Sequence, residues 1–195
     1  MLNIYKSIKF NIGMENFRFN LMKGKVVEVL IQNIFEEVGY QVFSYGHENT
    51  LGYLKNELCK YKKHNDTLKK IRFTPDFVLY NPKTEDTKLI EVKYSDCKGE
   101  KCIGDYEPYQ KYWNDCYILV VNPSSKNIYY IQKASGIKVY SEFYNKSTKR
   151  KQKTYDLNEF KLIQEEFKEI TIDVVESTFD IIDSLKFVSE ERKNY

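Results

Sequence analysis

The hydrophobic pattern predicts an amphipathic helix followed by a short strand in the first part of the chain. Between residues 21 and 38, apolar side chains recur every three or four positions and therefore share one stripe of a helix. They are Val27, Ile31, Ile34 and Val38. Gly39 follows this run, and a glycine at that place favours the end of a helix. Apolar and polar residues then alternate from Tyr40 to Tyr45, which predicts a strand.

The next hydrophobic runs predict a β-hairpin. FTPDFVLY (73–80) and KLIEVKYS (88–95) have the composition of strands, and the intervening NPKTEDT contains the Asn, Pro and Asp residues that favour turns. Pro75 has no amide hydrogen to donate, so it fits the beginning of the first strand better than its middle.

The rest of the pattern completes a single α/β unit. The sequence predicts a polar, lysine-rich insert near 46–70 with a helix near 51–62, a helix over 105–115, strands over 116–121 and 127–133, a basic linker at 146–153 and a helical tail over 156–187. This order predicts a mixed β-sheet flanked by helices, with a C-terminal helical extension. We expect residues 1–145 to form the core and residues 146–195 to form the linker and the extension, packed on the same domain.

The composition is that of a globular protein and leaves the class of partner open. Of the 195 residues, 42% are hydrophobic and 30% are charged, and the net charge is +3. The basic residues cluster at 60–63, 69–72 and 146–153, which permits a nucleic-acid partner without requiring one. The apolar runs are too short to span a membrane and the first residues lack an apolar export signal, so we expect a soluble, cytoplasmic protein with no membrane partner and with reduced cysteines.

Candidate chemistry lies in the hairpin. Successive side chains of a strand point to opposite faces, so Glu91 and Lys93 share one face of the second strand. Asp76 lies near the start of the first strand, and the hairpin brings it towards Glu91. Mg²⁺ is usually held by one or two carboxylates together with water and phosphate oxygens. The ammonium of Lys93 can then orient an attacking water or stabilise charge on the same phosphate.

This arrangement resembles the motif of the PD-(D/E)XK nuclease superfamily. The motif appears here as Pro75-Asp76 and, after a turn, Glu91-Val92-Lys93 in the second strand of the hairpin. The resemblance implies a restriction-endonuclease-like fold and a metal-dependent endonuclease. It further implies that Asp76 and Glu91 hold Mg²⁺ (or Mn²⁺) and that Lys93 is catalytic.

The same resemblance implies two further site residues. It spans roughly residues 21–121, and its segment LMKGKVVEVLIQNIFEEVGYQVF is similar to the opening of archaeal Holliday-junction resolvases. Glu28 in this helix takes the place of an additional acidic metal ligand, and Gln110 takes the place of a catalytic glutamine in the helix after the second strand. Lys23 and Lys25, at the start of the first helix, are expected to contact nucleic-acid phosphates.

The partner and several roles have alternatives. DNA is the expected substrate and RNA the alternative, while a homodimer is expected by analogy with resolvases and restriction enzymes. A catalytically silent nucleic-acid-binding or assembly subunit is the alternative to a nuclease. An RNA-directed nuclease of host defence or of a mobile element is the alternative to a DNA endonuclease. Glu28 could equally be a solvent-facing helix residue, and the run 146–153 could follow a phosphate backbone instead of forming a linker. We expect the aromatic residues between 106 and 113 to pack in the core rather than to stack on bases.

Overall fold

The first helix and its termination agree with the sequence pattern. The computed structural model describes residues 2–46, 66–146 and 149–184, with side chains described from residue 19 onward. α1 (Leu2–Glu37) begins earlier than the amphipathic pattern alone indicates. Gly39 has a φ of 94°, a left-handed conformation that glycine adopts without steric cost. The Tyr40 amide then donates to the Phe35 carbonyl at 3.0 Å, which closes the end of the helix.

Short strands and helices follow α1. In chain order the strands are β1 (Gln41–Ser44), β2 (Phe77–Asn81), β3 (Asp86–Tyr94), β4 (Lys101–Gly104), β5 (Tyr117–Val121), β6 (Tyr129–Lys133), β7 (Ser141–Asn145), β8 (Arg150–Asp156) and β9 (Lys161–Leu162). The later helices are α2 (Asp66–Arg72), α3 (Glu107–Tyr112), α4 (Ile163–Glu166) and α5 (Ile172–Glu176). The helix expected near 51–62 lies outside the described residues. Among the described helices, none combines the length and apolar character that crossing a bilayer requires.

The larger sheet is mixed, as the sequence predicts. Its strand order is β1-β2-β3-β5-β6-β9. β3 and β5 run parallel, and the other neighbouring strands are antiparallel. β5 is buried along its whole length, which explains its uninterrupted apolar sequence YILVV. The predicted hairpin is confirmed, since β2 pairs with β3 directly across the turn.

Each face of this sheet packs against its own hydrophobic core. One core joins α1 and the segment around α4 and α5 to side chains such as Ile90 and Val92 of β3. The other core contains residues of α3, β4, β5, β6 and β8, including the free thiols of Cys102 and Cys116. Glu91 lies on this second face, because its carboxylate contacts α3 rather than α1. The predicted alternation of faces along β3 is therefore confirmed.

A smaller sheet corrects the interpretation of the basic run as a linker. β8 pairs with β4 on one side and with β7 on the other, both antiparallel, so residues 150–153 belong to a strand. Most residues of β7 and β8 are exposed or half-buried on both faces, which removes the apolar alternation that identifies a strand in sequence. The expected helical tail is likewise helical only from Ile163 onward, after β9 has joined the larger sheet.

Candidate active site

The hairpin places Asp76 opposite Glu91. Phe77 pairs with Ile90 in the antiparallel register. Asp76, which precedes Phe77, therefore lies across from Glu91, which follows Ile90. The Asp76 Oδ2 accepts a hydrogen bond of 2.8 Å from the amide of Val92. The carbonyl of Asp76 accepts from the amides of Tyr45 and Gly46 at 2.7 and 3.2 Å. Both ends of this residue are thus held by backbone amides, which fixes the direction of the carboxylate.

Glu91 is a buried carboxylate with two different oxygens. Only 3% of the residue is exposed. Its Oε1 accepts hydrogen bonds from the hydroxyl of Tyr109, at 2.5 Å, and from the ammonium of Lys93. Its Oε2 is also buried but has no hydrogen-bond partner among the described residues. A buried carboxylate oxygen without a donor is costly, and a bound cation would satisfy it.

Asp76 is a buried carboxyl whose pKa is raised. Burial raises the pKa of Asp76 to about 7, and repulsion from Glu91 adds to this effect. Lys93 and the Val92 amide act in the opposite direction without cancelling the shift. Adjacent acids with a perturbed pKa in a cleft are typical of functional sites. A divalent cation would stabilise both carboxylates in their charged form.

Lys93 is held in its charged form. Burial lowers its pKa, but Glu91 and Asp76 outweigh this effect and raise the pKa above its ordinary value. The side chain is 38% exposed and lines the cleft. A lysine that remains protonated at neutral pH can stabilise negative charge but cannot accept a proton from water. The structure therefore favours electrostatic stabilisation over general-base catalysis for this residue.

Glu28 and Lys25 lie at the same cleft. A cavity of about 480 Å³ is lined by both residues together with Asp76, Glu91 and Lys93. Glu28 forms an ion pair of 2.6 Å with Lys25, one helical turn away. It also contributes to the raised pKa of Lys93. α1 thus supplies a carboxylate to the cleft in addition to those of Asp76 and Glu91.

Two predicted site residues lie elsewhere. Lys23 is only 1% exposed, and its ammonium lies 4.9 Å from the ring centre of Phe19 and 5.0 Å from that of Tyr94. Lys23 therefore packs α1 against its neighbours. Because it is buried, it is not placed to contact a phosphate as the sequence analysis expects. Gln110 donates to the carbonyl of Ile137 at 2.7 Å and does not line the cleft.

Tyr109 is a residue of the cleft that the sequence pattern did not single out. Its hydroxyl bonds Glu91, and its ring lies 5.4 Å from the ammonium of Lys93. Burial and the neighbouring Glu91 raise its pKa far above the ordinary value, so it remains a hydrogen-bond donor. Tyr109 precedes Gln110 by one residue, a rotation of about 100° on a helix. The helix that the sequence singles out thus lies at the cleft, and it presents Tyr109 rather than Gln110 to Glu91.

The donor atoms suit a hard divalent cation, although they do not form a complete cage. Asp76 and Glu91 offer carboxylate oxygens, which Mg²⁺ and Mn²⁺ prefer. Among the described residues, no group of three or more His, Cys, Asp or Glu side chains is arranged to hold a metal ion. Two carboxylates nevertheless suffice for Mg²⁺, which commonly retains several waters and takes further oxygens from a substrate phosphate.

The comparisons with known proteins add one weak structural likeness. No protein-family model matches the chain, and no curated protein matches its sequence. Among solved structures, the chain is similar to Hjc from the archaeal hyperthermophile Archaeoglobus fulgidus, a Holliday junction resolvase. The two are 13% identical with a TM-score of 0.42, over 74% of this chain and 94% of that chain. Such a score is too low to argue from, so the functional proposal rests on the residues of the cleft.

Proposed function

We propose that the protein is a divalent-metal-dependent endonuclease that hydrolyses phosphodiester bonds in DNA. The supporting observation is the convergence of Asp76, Glu91 and Lys93 in one cleft, with the buried Glu91 Oε2 lacking a donor among the described residues. Two acids that need a cation, next to an ammonium that stays charged, form a site suited to a phosphate diester anion. The resemblance of these residues to the PD-(D/E)XK motif points to the same chemistry.

The metal would be held by the two strand carboxylates. Asp76 and Glu91 would each supply at least one oxygen ligand. Carboxylate oxygens favour Mg²⁺ or Mn²⁺ as the cation. A divalent cation bound there supplies charge that activates water and stabilises the phosphate in the transition state. Glu28 also lines the cleft and would add a third carboxylate to the metal site, and its ion pair with Lys25 orients it.

The remaining residues orient the substrate and the carboxylates. Lys93 offers its ammonium to a phosphate oxygen, because its pKa is raised and the side chain is partly exposed. Tyr109 holds Glu91 in place through the bond to Oε1, which leaves Oε2 for the cation. Lys25, at the mouth of the cleft, contacts the phosphate backbone beside the scissile bond.

Cleavage assays test this proposal directly. Labelled linear duplex, single-stranded DNA, a four-way junction and RNA are incubated with Mg²⁺, Mn²⁺ or EDTA, and the wild type is compared with Glu91→Gln. We expect metal-dependent products from a DNA substrate, and their loss in the variant. Calorimetric titration with Mn²⁺ in the absence of substrate provides a second readout, in which Glu91→Gln weakens metal binding.

The other outcomes separate the alternatives. Products from RNA alone would replace DNA as the substrate while keeping the metal centre. Tight nucleic-acid binding without cleavage of any substrate would refute the nuclease and favour a recognition subunit. Products that persist in Glu91→Gln would show that the site assignment is wrong.

A homodimer is part of the proposal. Cutting both strands of a duplex requires two active sites, and a pair of chains related by two-fold symmetry provides them. Sedimentation analysis with and without duplex DNA measures the oligomeric state. A strictly monomeric protein that cuts both strands would contradict this part.

A further inference from the structure

The sheet β4-β8-β7 exposes aromatic side chains that the proposed active site does not use. Tyr144 of β7 is 60% exposed, and Tyr140, just before β7, and Phe143, on the opposite face of the strand, are also exposed. Large aromatic side chains normally bury most of their surface, so a group of them on a short sheet is a candidate binding surface.

The same hairpin is one of the basic segments of the chain. From Lys138 to Asp156 the sequence contains six basic and two acidic residues, a surplus of four positive charges. The charge on β7, β8 and the residues that flank them can therefore attract a polyanion.

The register of β7 and β8 places an aromatic ring and lysines on one face. Tyr144 pairs with Lys151, and Glu142 pairs with Lys153. Directly opposed residues of antiparallel strands point to the same side, as do alternate residues along a strand. Tyr144, Lys151, Glu142 and Lys153 therefore share one face, and Lys153 neutralises the acidic member through an ion pair of 3.6 Å.

This face is connected to the proposed active site by a continuous chain of contacts. Lys153 also forms an ion pair with Glu107, the first residue of α3, and the same helix carries Tyr109, which bonds Glu91. Desolvation raises the pKa of Asp105, just before α3, whereas Lys153 and Lys93 both lower it. One carboxylate thus lies within electrostatic reach of both lysines, one on the hairpin and one in the cleft.

We propose that the Tyr144 face of the β7–β8 hairpin binds an unpaired strand of DNA that continues from the scissile phosphate. This inference rests on the proposed nuclease function and specifies its substrate: DNA with a single-stranded segment next to the cleavage site. Exposed bases stack on aromatic rings, while lysines track the backbone. In a duplex the base faces are covered by neighbouring base pairs, so an exposed tyrosine has nothing to stack on. The ring of Tyr144 therefore selects the unpaired strand, and Lys151 binds its phosphate.

Binding without catalysis tests the inference. Fluorescence anisotropy in EDTA measures the affinity of the full chain for a labelled oligo-dT of about 20 nucleotides and for a blunt duplex of equal length. We expect Tyr144→Ala to weaken oligo-dT binding about tenfold and duplex binding less than twofold. Tyr144→Phe keeps the ring and should bind like the wild type.

Lys151→Ala should weaken the binding of both oligonucleotides and lower the salt dependence of binding by about one phosphate contact. Lys83→Ala, an exposed lysine in the β2–β3 turn, is the charge-matched control and should change neither.

Each result decides between the two levels of the proposal. Unchanged oligo-dT binding in Tyr144→Ala, an equal loss on duplex, or no oligo-dT binding by the wild type overturns the single-strand inference, even if the protein cleaves DNA. Conversely, a wild type that binds oligo-dT through Tyr144 but cleaves nothing upholds the inference about the surface and refutes the nuclease. Thermal melts of each variant confirm that the exposed substitutions leave the fold intact.

Discussion

Lys93 on β3 and Lys151 on β8 are the same residue type in two opposite environments. Lys93 lies in a cleft of the larger sheet, and two carboxylates hold its ammonium in place. Lys151 lies on an exposed strand of the smaller sheet, across from the exposed ring of Tyr144. A charge that is fixed among other charges can stabilise a transition state, because it needs no reorganisation. A charge on an exposed surface attracts and retains a polyanion but does not hold a reacting group in one fixed position.

Under the proposed function, this difference predicts separate tasks for the two sheets. Substitutions of Asp76, Glu91 or Lys93 should change the rate of cleavage and leave the affinity for nucleic acid nearly unchanged. Substitutions on the hairpin should change the affinity and leave the rate nearly unchanged.

Glu91→Gln should cause the largest loss. The variant keeps the size of the side chain but removes the negative charge, so we expect the cleavage rate to fall by about a thousandfold or more. Oligo-dT binding in EDTA should stay within twofold of the wild type, because the hairpin is untouched. Single-turnover cleavage and anisotropy measure the two quantities on the same preparation. A parallel loss of cleavage and binding would show that the two sheets do not act separately.

Lys93→Met should reduce kcat about a hundredfold, with little change in KM. Methionine keeps the aliphatic stem and removes the ammonium that contacts Glu91. Lys151→Ala is the matched variant on the other sheet, for which we expect a raised KM and an unchanged kcat. Steady-state kinetics of both variants on one substrate provide the comparison. If Lys93→Met raises KM and leaves kcat unchanged, Lys93 acts in substrate binding and not in the chemical step.

The sequence predicts the cleft better than the hairpin for a physical reason. Asp76, Glu91 and Lys93 lie on two strands joined by a short turn, so strand alternation and antiparallel pairing bring them together without knowledge of the rest of the fold. The contact of Tyr109 with Glu91 depends on how α3 is rotated on the sheet, which packing decides and no local pattern encodes. The sequence of β8 favours a linker because its residues are mostly polar and lack apolar alternation, although it pairs with both β7 and β4. Strands of this kind are defined by pairing rather than by burial.

Asp76→Asn should stabilise the metal-free protein at alkaline pH. The pKa of Asp76 rises from an ordinary value of 3.8 to about 7 in the fold. A carboxyl whose pKa is raised costs stability progressively as the pH rises from the unfolded to the folded value, and the cost is complete above the folded value. The neutral amide avoids it, so we expect a gain of roughly 4 kcal/mol at pH 8 in EDTA, which disappears towards pH 4.

Thermal melts at several pH values measure this gain. Mg²⁺ should reverse it, because the cation stabilises the wild type by binding and the variant binds it poorly. Asp86→Asn is the control, since Lys88 lowers the pKa of this exposed acid and its removal should bring no gain at high pH. Equal behaviour of the two variants would mean that burial of Asp76 has no consequence for stability.

Tyr109→Phe should have the smallest effect and the most specific one. It removes the hydroxyl that holds Glu91 and keeps the ring, so we expect a loss of about 1 kcal/mol in stability and a decrease in kcat of up to about tenfold. Tyr117→Phe is a closely matched control, because Tyr117 donates the same kind of bond, 2.6 Å long, to Glu166 near the other face of the sheet. Both variants should lose similar stability, but only Tyr109→Phe should slow cleavage and weaken Mn²⁺ binding. If Tyr117→Phe slows cleavage equally, the loss comes from stability in general, and Tyr109 has no positioning role.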